Sequence, residues 1–265
     1  MNRGNIKLIC PNGNHRWLYV NVFPGGEVQV RLPEVYLHDE CDVTIEATIT
    51  NSEDLMAVLM AKDAIDREVC KPNVILHLTY LPYARQDRVC APRESLSVAV
   101  VAKMINAMDF YCVIINDPHS DVGPALIDRS IIRTQASLLE SSWKHMRKYH
   151  DAYLVAPDAG AAKKIYDLAL KFNNREIFIA NKKRDMATGD VIKTECHGDV
   201  EGKNLLIVDD ICDGGRTFIE LAKVLREKGA NNIGLYVTNG IFSKGKDVLL
   251  EHIDDLYCHT DWTEL

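Results

Sequence analysis

The sequence predicts an α/β protein: two tandem domains, each a mainly parallel sheet flanked by helices. Three observations predict it. From residue 43 onward, short apolar runs alternate with stretches whose apolar residues recur at helical spacing. That is the pattern of buried parallel strands joined by amphipathic helices, with helices covering both faces. A chain of 265 residues has room for two such units at about 100–200 residues per domain. The 47% hydrophobic and 26% charged content matches ordinary globular chains and excludes disordered, collagen-like and low-complexity classes.

Residues 7–9, 17–23 and 28–32 form short strands punctuated by Gly, Asn and Pro, which predicts a meander. Residues 43–49 alternate apolar and polar and predict a half-buried strand. Asn51-Ser52-Glu53-Asp54 supplies a polar cap and two acids where a helix dipole favours them. Leu55, Val58, Leu59 and Ile65 mark the helix that follows. Beyond it come a strand over 73–78, a helix over 95–108 and a strand over 111–115. A helix over 136–148, a strand over 152–155 and a helix over 159–172 continue the alternation. Strands over 176–180 and 204–208, a helix over 217–228 and a last clear strand over 232–237 complete it. The helix ending near His150 sets the expected boundary, giving domains 1–150 and 151–265.

Formal net charge is −7, from 31 Lys and Arg against 38 Asp and Glu. An acidic chain is a poor general binder of nucleic acid, so a phosphate site must be local. No apolar run approaches the ~18 residues of a membrane span. The first residues lead straight into a strand-like run without a secretory segment. Eight cysteines include no C-x-x-C pair, and several sit in apolar runs, as buried hydrophobes do. A reducing, cytoplasmic setting is expected.

Ligands of open α/β sheets bind beyond the carboxyl ends of strands. After residues 204–208 comes Asp209-Asp210-Ile211-Cys212-Asp213-Gly214-Gly215-Arg216-Thr217. A glycine pair before a helix N-terminus offers free N–H groups to a phosphate. Two adjacent carboxylates fit sugar hydroxyls, directly or through Mg2+. An acidic strand end followed by a glycine turn is the plainer alternative.

These residues and the apolar strand before them resemble the ribose-5-phosphate loop of the phosphoribosyl pyrophosphate family. Leu81-Pro82-Tyr83-Ala84-Arg85-Gln86-Asp87-Arg88 resembles the P-Y-A-R-Q-D-R signature of ribose-phosphate pyrophosphokinases. Asp117-Pro118-His119 is similar to their D-L-H segment, and Ala156-Pro157-Asp158-Ala159-Gly160 to S-P-D-A-G. Asn181-Lys182-Lys183-Arg184 resembles D-K-R-R, and Thr238-Asn239-Gly240-Ile241-Phe242-Ser243 resembles T-H-G-V-F-S. The motifs follow family order from Phe23 to Ser243. The resemblance implies two tandem phosphoribosyltransferase-like domains, an ATP side and a ribose-phosphate side. It also implies Mg2+-dependent transfer of a whole diphosphoryl group from ATP to the 1-hydroxyl of a ribose phosphate, with AMP leaving.

By the same resemblance, Arg85, Gln86 and Arg88 bind ATP, and arginine forks suit phosphate oxygens. His119 serves catalysis and, with Asp158, the metal; a strand-end histidine or a helix N-cap are the ordinary alternatives. Lys182 and Arg184 stabilise the transferring group from a polar stretch running to about His197, which predicts a mobile loop. Asp209 and Asp210 hold the ribose hydroxyls; Asp213, Gly214, Gly215, Arg216 and Thr217 wrap the 5-phosphate. Phe23-Pro24-Gly25-Gly26-Glu27 resembles F-x-D-G-E, which contacts adenine across a subunit boundary, so Phe23 and Glu27 are candidates in a homo-oligomer. Gly25 replaces the family's Asp.

The departures concern acceptor and assembly. Gly214 replaces the first Thr of D-T-x-x-T, and Arg216 adds a cation in compensation. Ribose 5-phosphate is the expected acceptor; a 5-substituted ribose such as ADP-ribose is the alternative. The chain is expected to stop soon after Asp255, where the family continues with a strand and helix. Residues 119–152 are longer and more charged than usual, which predicts rebuilt interfaces. A non-catalytic regulatory relative would be free to lose Lys182, Arg184, His119 and Asp158. A phosphoribosyltransferase would not need residues 83–88, and a repressor would want a basic winged helix.

Overall fold

The computed structural model describes all residues except Met1, Tyr36, Asp39, Glu40, 173–175 and 185–190, and no side chains at Asn2, Arg3, 182–184 or 191–194. The chain divides into two compact units, Met1–Thr134 with Leu265, and Gln135–Glu264.

In the first unit the order is β1 (Asn2–Ile9), β2 (His15–Val22), β3 (Val28–Arg31), β4 (Asp42–Thr48), α1 (Ser52–Glu68), β5 (Asn73–Tyr80), α2 (Ser97–Ala107), β6 (Cys112–Asn116), α3 (Val122–Leu126) and β7 (Ser130–Arg133). The seven strands form one sheet in the order β3-β2-β1-β4-β5-β6-β7. β4 to β7 are parallel; β1 to β3 form the antiparallel meander. Period-two alternation sends Val43, Ile45 and Ala47 of β4 to one face, together with Val74, Leu76 and Leu78 of β5. That face packs against Leu55, Val58 and Ile65 of α1 and Val98, Val101 and Ile105 of α2. Both helices therefore cover one face, where helices on both faces were expected. The other face carries polar residues, including Thr48 and Thr79, whose hydroxyls lie 2.7 Å apart. α1 starts as the cap predicted. Asn51 Oδ1 accepts from Asp54 N at 2.9 Å, and Asp54 Oδ2 accepts from Thr50 N and Thr50 Oγ1.

The second unit runs α4 (Gln135–Trp143), β8 (Tyr153–Ala156), α5 (Ala162–Lys171), β9 (Ile177–Arg184), β10 (Val191–Cys196), β11 (Asn204–Cys212), α6 (Arg216–Glu227), β12 (Asn232–Gly240), α7 (Asp247–Leu250) and β13 (Asp255–Asp261). Its sheet has the order β10-β9-β8-β11-β12-β13. Helices here cover both faces. Leu205 and Ile207 pack with Phe218, Leu221 and Leu225 of α6. Leu206 and Val208 pack with Leu139 of α4 and Ile165 and Leu168 of α5.

Four expectations need correction. The division falls between Thr134 and Gln135 rather than at 150/151, because Leu139, Met146 and Tyr149 join the core of Leu154 and Leu206. The helix expected over 136–148 stops at Trp143, and a 3-10 turn over Arg147–Tyr149 follows. The polar stretch expected as a loop begins and ends in strand: Lys182 pairs with Thr194 and Glu195 with Asn181 in an antiparallel edge pair. Edge strands tolerate such charge. Asp255–Asp261 is a further strand, parallel to β12, so residues 232–237 do not contain the last one.

Candidate functional site

In the first unit the candidate residues gather at the carboxyl ends of β5 and β6. β5 ends in a turn where Tyr83 adopts a positive φ of 61°. Gln86 N donates to Tyr83 O at 3.0 Å, and Tyr83 Oη lies 3.1 Å from Ser52 Oγ. Arg85, Gln86 and Arg88 are exposed. β6 leads into Asn116, Asp117 and Pro118, all buried, and His119, which is exposed. Asp117 has φ of 36° and donates its N–H to Arg133 O at 2.8 Å.

Asp87 joins the two turns. A hydrogen bond with Ser120 holds its carboxyl below the usual range, helped by the charges of Arg88 and His119. Arg88 Nε lies 3.4 Å from Asp87 Oδ1. Thus Asp87, Arg88, His119 and Ser120 belong to one cluster, with Arg85 and Gln86 exposed on the same turn. Asp87 lies inside the 83–88 signature, yet its type gave no sign of this bridging role.

Behind this cluster runs a polar ladder across the sheet. Lys7 Nζ lies 2.5 Å from Glu46 Oε1. His77 Nδ1 lies 3.1 Å from Glu46 Oε2, and His77 Nε2 lies 3.0 Å from Asn116 Oδ1. Burial would raise the Glu46 carboxyl, but hydrogen bonds from His77 and Lys7 hold it down to about 2. The ladder ends one residue before the turn that carries His119.

Phe23 and Glu27 sit on the β2–β3 turn, where Phe23 N donates to Glu27 O at 2.9 Å. β2 stands three strand positions from β5, ~14 Å at the usual strand spacing. The turn is therefore not joined to residues 85–88 within the sheet, and Phe23 is 44% exposed.

In the second unit the candidates gather at the carboxyl ends of β8 and β11. β11 extends through Asp209 and Asp210 to Cys212, so the acids lie in the strand rather than after it. Pairing with β8 ends at Ile207, while pairing with β12 continues to Cys212 and Gly240. The two acids thus stand beyond the last β8 partner.

Three carboxylates converge there. Burial raises the Asp209 carboxyl well above its ordinary value, and the charges of Asp210 and Asp158 add to it. Lys164 Nζ lies 3.9 Å from Asp210 Oδ2. Asp158 Oδ1 accepts from Gly160 N at 3.0 Å and Ala161 N at 3.2 Å, as a cap before α5. Among the described residues no three His, Cys, Asp or Glu side chains form a preformed metal cage. The donors around Asp209 are oxygens, and a hard divalent cation would relieve their repulsion. Burial, with Asp209 and Asp213 nearby, pushes the Cys212 thiol up to about 12, so it is no ready nucleophile.

The glycine loop caps α6. Gly215 has φ of 76° and is the helix's N-cap, a conformation favouring glycine. Residues 241–243 are strapped to the loop. Ile241 N and Phe242 N donate to Cys212 O, Ser243 N donates to Asp213 O, and Ser243 Oγ donates to Asp213 Oδ1 at 2.7 Å. Arg216 Nε donates to Glu220 Oε1 at 2.7 Å along its own helix, an engagement the phosphate-facing expectation did not include. Thr217 lies half-buried in the first turn.

Lys182 and Arg184 have described backbones in β9, but their side chains lie outside the described residues. Sequence reasoning missed Lys164 and Ser243. Ser243 closes a motif it had quoted, so it was within reach. Lys164 looks like an ordinary surface lysine until the fold places it.

Comparison with known proteins agrees with this geometry. A family described as the N-terminal domain of ribose phosphate pyrophosphokinase matches residues 14–108, and one described as the phosphoribosyl transferase domain matches 132–260. The ribose-phosphate pyrophosphokinase of Ureaplasma parvum serovar 3 is 32% identical over 232 residues, covering 84% of this chain and 68% of that protein. That of Xanthomonas campestris pv. campestris is 30% identical over 227 residues, covering 84% and 70%. The crystal structure of phosphoribosylpyrophosphate synthetase from Mycobacterium smegmatis superposes with a TM-score of 0.75 at 25% identity, covering 89% of this chain and 76% of that one. With the two matched domains in order and relatives alike across most of its length, the chain belongs to the ribose-phosphate pyrophosphokinase family.

Proposed function

We propose that this chain transfers the diphosphoryl group of ATP to the anomeric 1-hydroxyl of ribose 5-phosphate, giving phosphoribosyl pyrophosphate and AMP. The observation that carries this is the joint presence, in one member of the family, of two clusters. One is the Arg88–Asp87–His119 cluster at the ends of β5 and β6; the other is the acid and glycine loop at the end of β11.

The 1-hydroxyl oxygen attacks the β-phosphorus of ATP. The bond from that phosphorus to the oxygen bridging the α-phosphorus breaks, AMP departs, and the hydroxyl proton passes to solvent. Such transfer depends on positioning and charge. The first unit is the ATP side: Arg85, Gln86 and Arg88 hold the polyphosphate, with Asp87 fixing their turn against Ser120 and His119. The second is the acceptor side: Asp209 and Asp210 accept from the ribose 2- and 3-hydroxyls. The backbone of Asp213, Gly214 and Gly215 and the Thr217 hydroxyl surround the 5-phosphate at the α6 N-terminus. Lys182 and Arg184 meet charge developing on the transferring group.

His119 in the first unit and Asp158 in the second are each a residue that would hold Mg2+, and the crowding of Asp158 and Asp210 around Asp209 fits such a cation. Bound there, Mg2+ would supply positive charge toward the phosphate oxygens. A homo-oligomer accounts for Phe23 and Glu27, since an exposed turn far from residues 85–88 is well placed to serve a second copy. Among the described residues the eight cysteines form no disulfide, which suits a reducing cytoplasm. No helix among the described residues is long and apolar enough to cross a membrane, and the acidic charge argues against nucleic acid as a partner.

The test is product analysis with ATP, Mg2+ and ribose 5-phosphate. AMP and a sugar diphosphate should appear in equal amounts. ADP with a singly phosphorylated product would contradict the reading.

A further inference from the structure

The loop of residues 213–217 lacks a side chain at Gly214, and the structure shows what lies over the gap. A Cβ built on Gly214 would lie 3.5 Å from Lys244 Cε, 3.6 Å from Lys244 Cδ and 3.7 Å from Ser243 Oγ. The stem of Lys244 therefore rests against the backbone of the loop, and its ammonium is one bond beyond Cε. The segment delivering it is held at Cys212 O, Asp213 O and Asp213 Oδ1 by the hydrogen bonds of residues 241–243. Its backbone position is thus set by the same strand end that sets the loop.

Other cations near this strand end are already engaged. Arg216 is bound to Glu220 at 2.7 Å. Lys246 is paired with Asp261 and lies 3.7 Å from Glu264. Lys164 faces Asp210. Among the described residues, Lys244 has no carboxylate within ion-pair distance. Two glycine amides and one helix dipole would meet a phosphate dianion with partial charges only. An unengaged ammonium lying over the loop supplies the full positive charge they lack.

We propose that Lys244 binds the 5-phosphate of the acceptor sugar, the role the sequence suggested for Arg216. This rests on the reading that residues 213–217 hold a phosphate. An ammonium is a compact point charge with rotatable donors, not a planar fork matched to one phosphate geometry. It therefore grips a phosphate on the ribose 5-carbon whether terminal, as in ribose 5-phosphate, or esterified, as in ADP-ribose. Gly214 leaves the space a branched side chain would take from the lysine stem.

The test measures binding of ribose 5-phosphate, ADP-ribose and unphosphorylated ribose to the full chain by calorimetry, without ATP. It compares wild type with Lys244→Ala, Lys244→Arg and Arg216→Ala, and follows AMP release alongside. Lys244 is exposed, so the variants should fold. Lys244→Ala should raise the Kd of the phosphorylated sugar by about tenfold or more, the scale for a lost charge-assisted hydrogen bond. Lys244→Arg should recover most of that loss, and Arg216→Ala should weaken binding less than Lys244→Ala. Unchanged binding in Lys244→Ala, or a loss as large for unphosphorylated ribose, would overturn the assignment. Lys244-dependent binding in a wild type that releases no AMP with either sugar would support it while refuting diphosphoryl transfer.

Discussion

Replacing Glu46 with glutamine removes the one anion in the ladder from Lys7 to Asn116. The Glu46 carboxyl sits at about 2 against an ordinary 4.5. At about 1.36 kcal/mol per pH unit that depression is worth ~3 kcal/mol at neutral pH. Solvent reaching its 23%-exposed side chain reduces this toward ~2 kcal/mol. The sign follows from the direction: the folded value lies below the unfolded one, so the contribution is complete above about pH 5. It fades as pH falls from 4.5 toward 2, with roughly half of it, about 1 kcal/mol, lost by about pH 3. Glu46→Gln should therefore be less stable than wild type at pH 7, and the gap should narrow on acidification. Urea unfolding at pH 7, 5 and 3 measures the gap, and hydrogen exchange of the β4 and β5 amides localises it. Because the ladder ends at Asn116, AMP release should fall as well. A gap that stays constant from pH 7 to pH 3 would refute the reasoning.

Other expectations follow from the second unit. Asp209→Asn should raise the Tm, because a buried carboxylate beside Asp210 and Asp158 is unfavourable at neutral pH, yet should weaken acceptor binding; thermal melts and the acceptor KM separate the two effects. Gly215→Ala places a Cβ 2.9 Å from Leu249 Cδ2 at φ of 76°; a loss of about 1–2 kcal/mol in urea unfolding is expected from the left-handed backbone. Lys182→Ala and Arg184→Ala should each lower kcat by ~10²-fold with little change in the ATP KM; normal turnover in both would favour a solvated charge run.

The strands whose cores are continuous apolar runs were legible: β5, β6, β8 and the first half of β11 lie where the pattern placed them. β11 continues through two aspartates because β12 still pairs with it there, and no pattern of side chains reveals a partner strand. The first half of β9 was legible too; its continuation past Ala180, β10 and β13 were missed because they lie in the outer part of the sheet, where a strand needs no continuous apolar run. The cap at Asn51 was legible because its chemistry is local. The domain boundary was not, since it depends on which core Leu139 and Tyr149 join.

The candidate site divides the same way. Arg85, His119, Asp158, Asp209 and the glycine loop could be named from motifs, and the fold brings them to strand ends. Residues such as Asp87, Lys164 and Lys244 draw their meaning from what lies across a turn, and spacing along the chain does not encode that. Arg216 shows the converse. Its charge and place beside the glycines suggested a phosphate, while an (i, i+4) carboxylate on the same helix engages it.

Transfer of an intact diphosphoryl group is the central claim, and isotopic labelling reads it directly. ATP labelled at the β-phosphorus and, separately, at the γ-phosphorus would be incubated with Mg2+ and ribose 5-phosphate. Both labels should enter the sugar product in equal measure, and AMP should carry neither. Transfer of the γ-label alone, with the β-label retained in ADP, would contradict it.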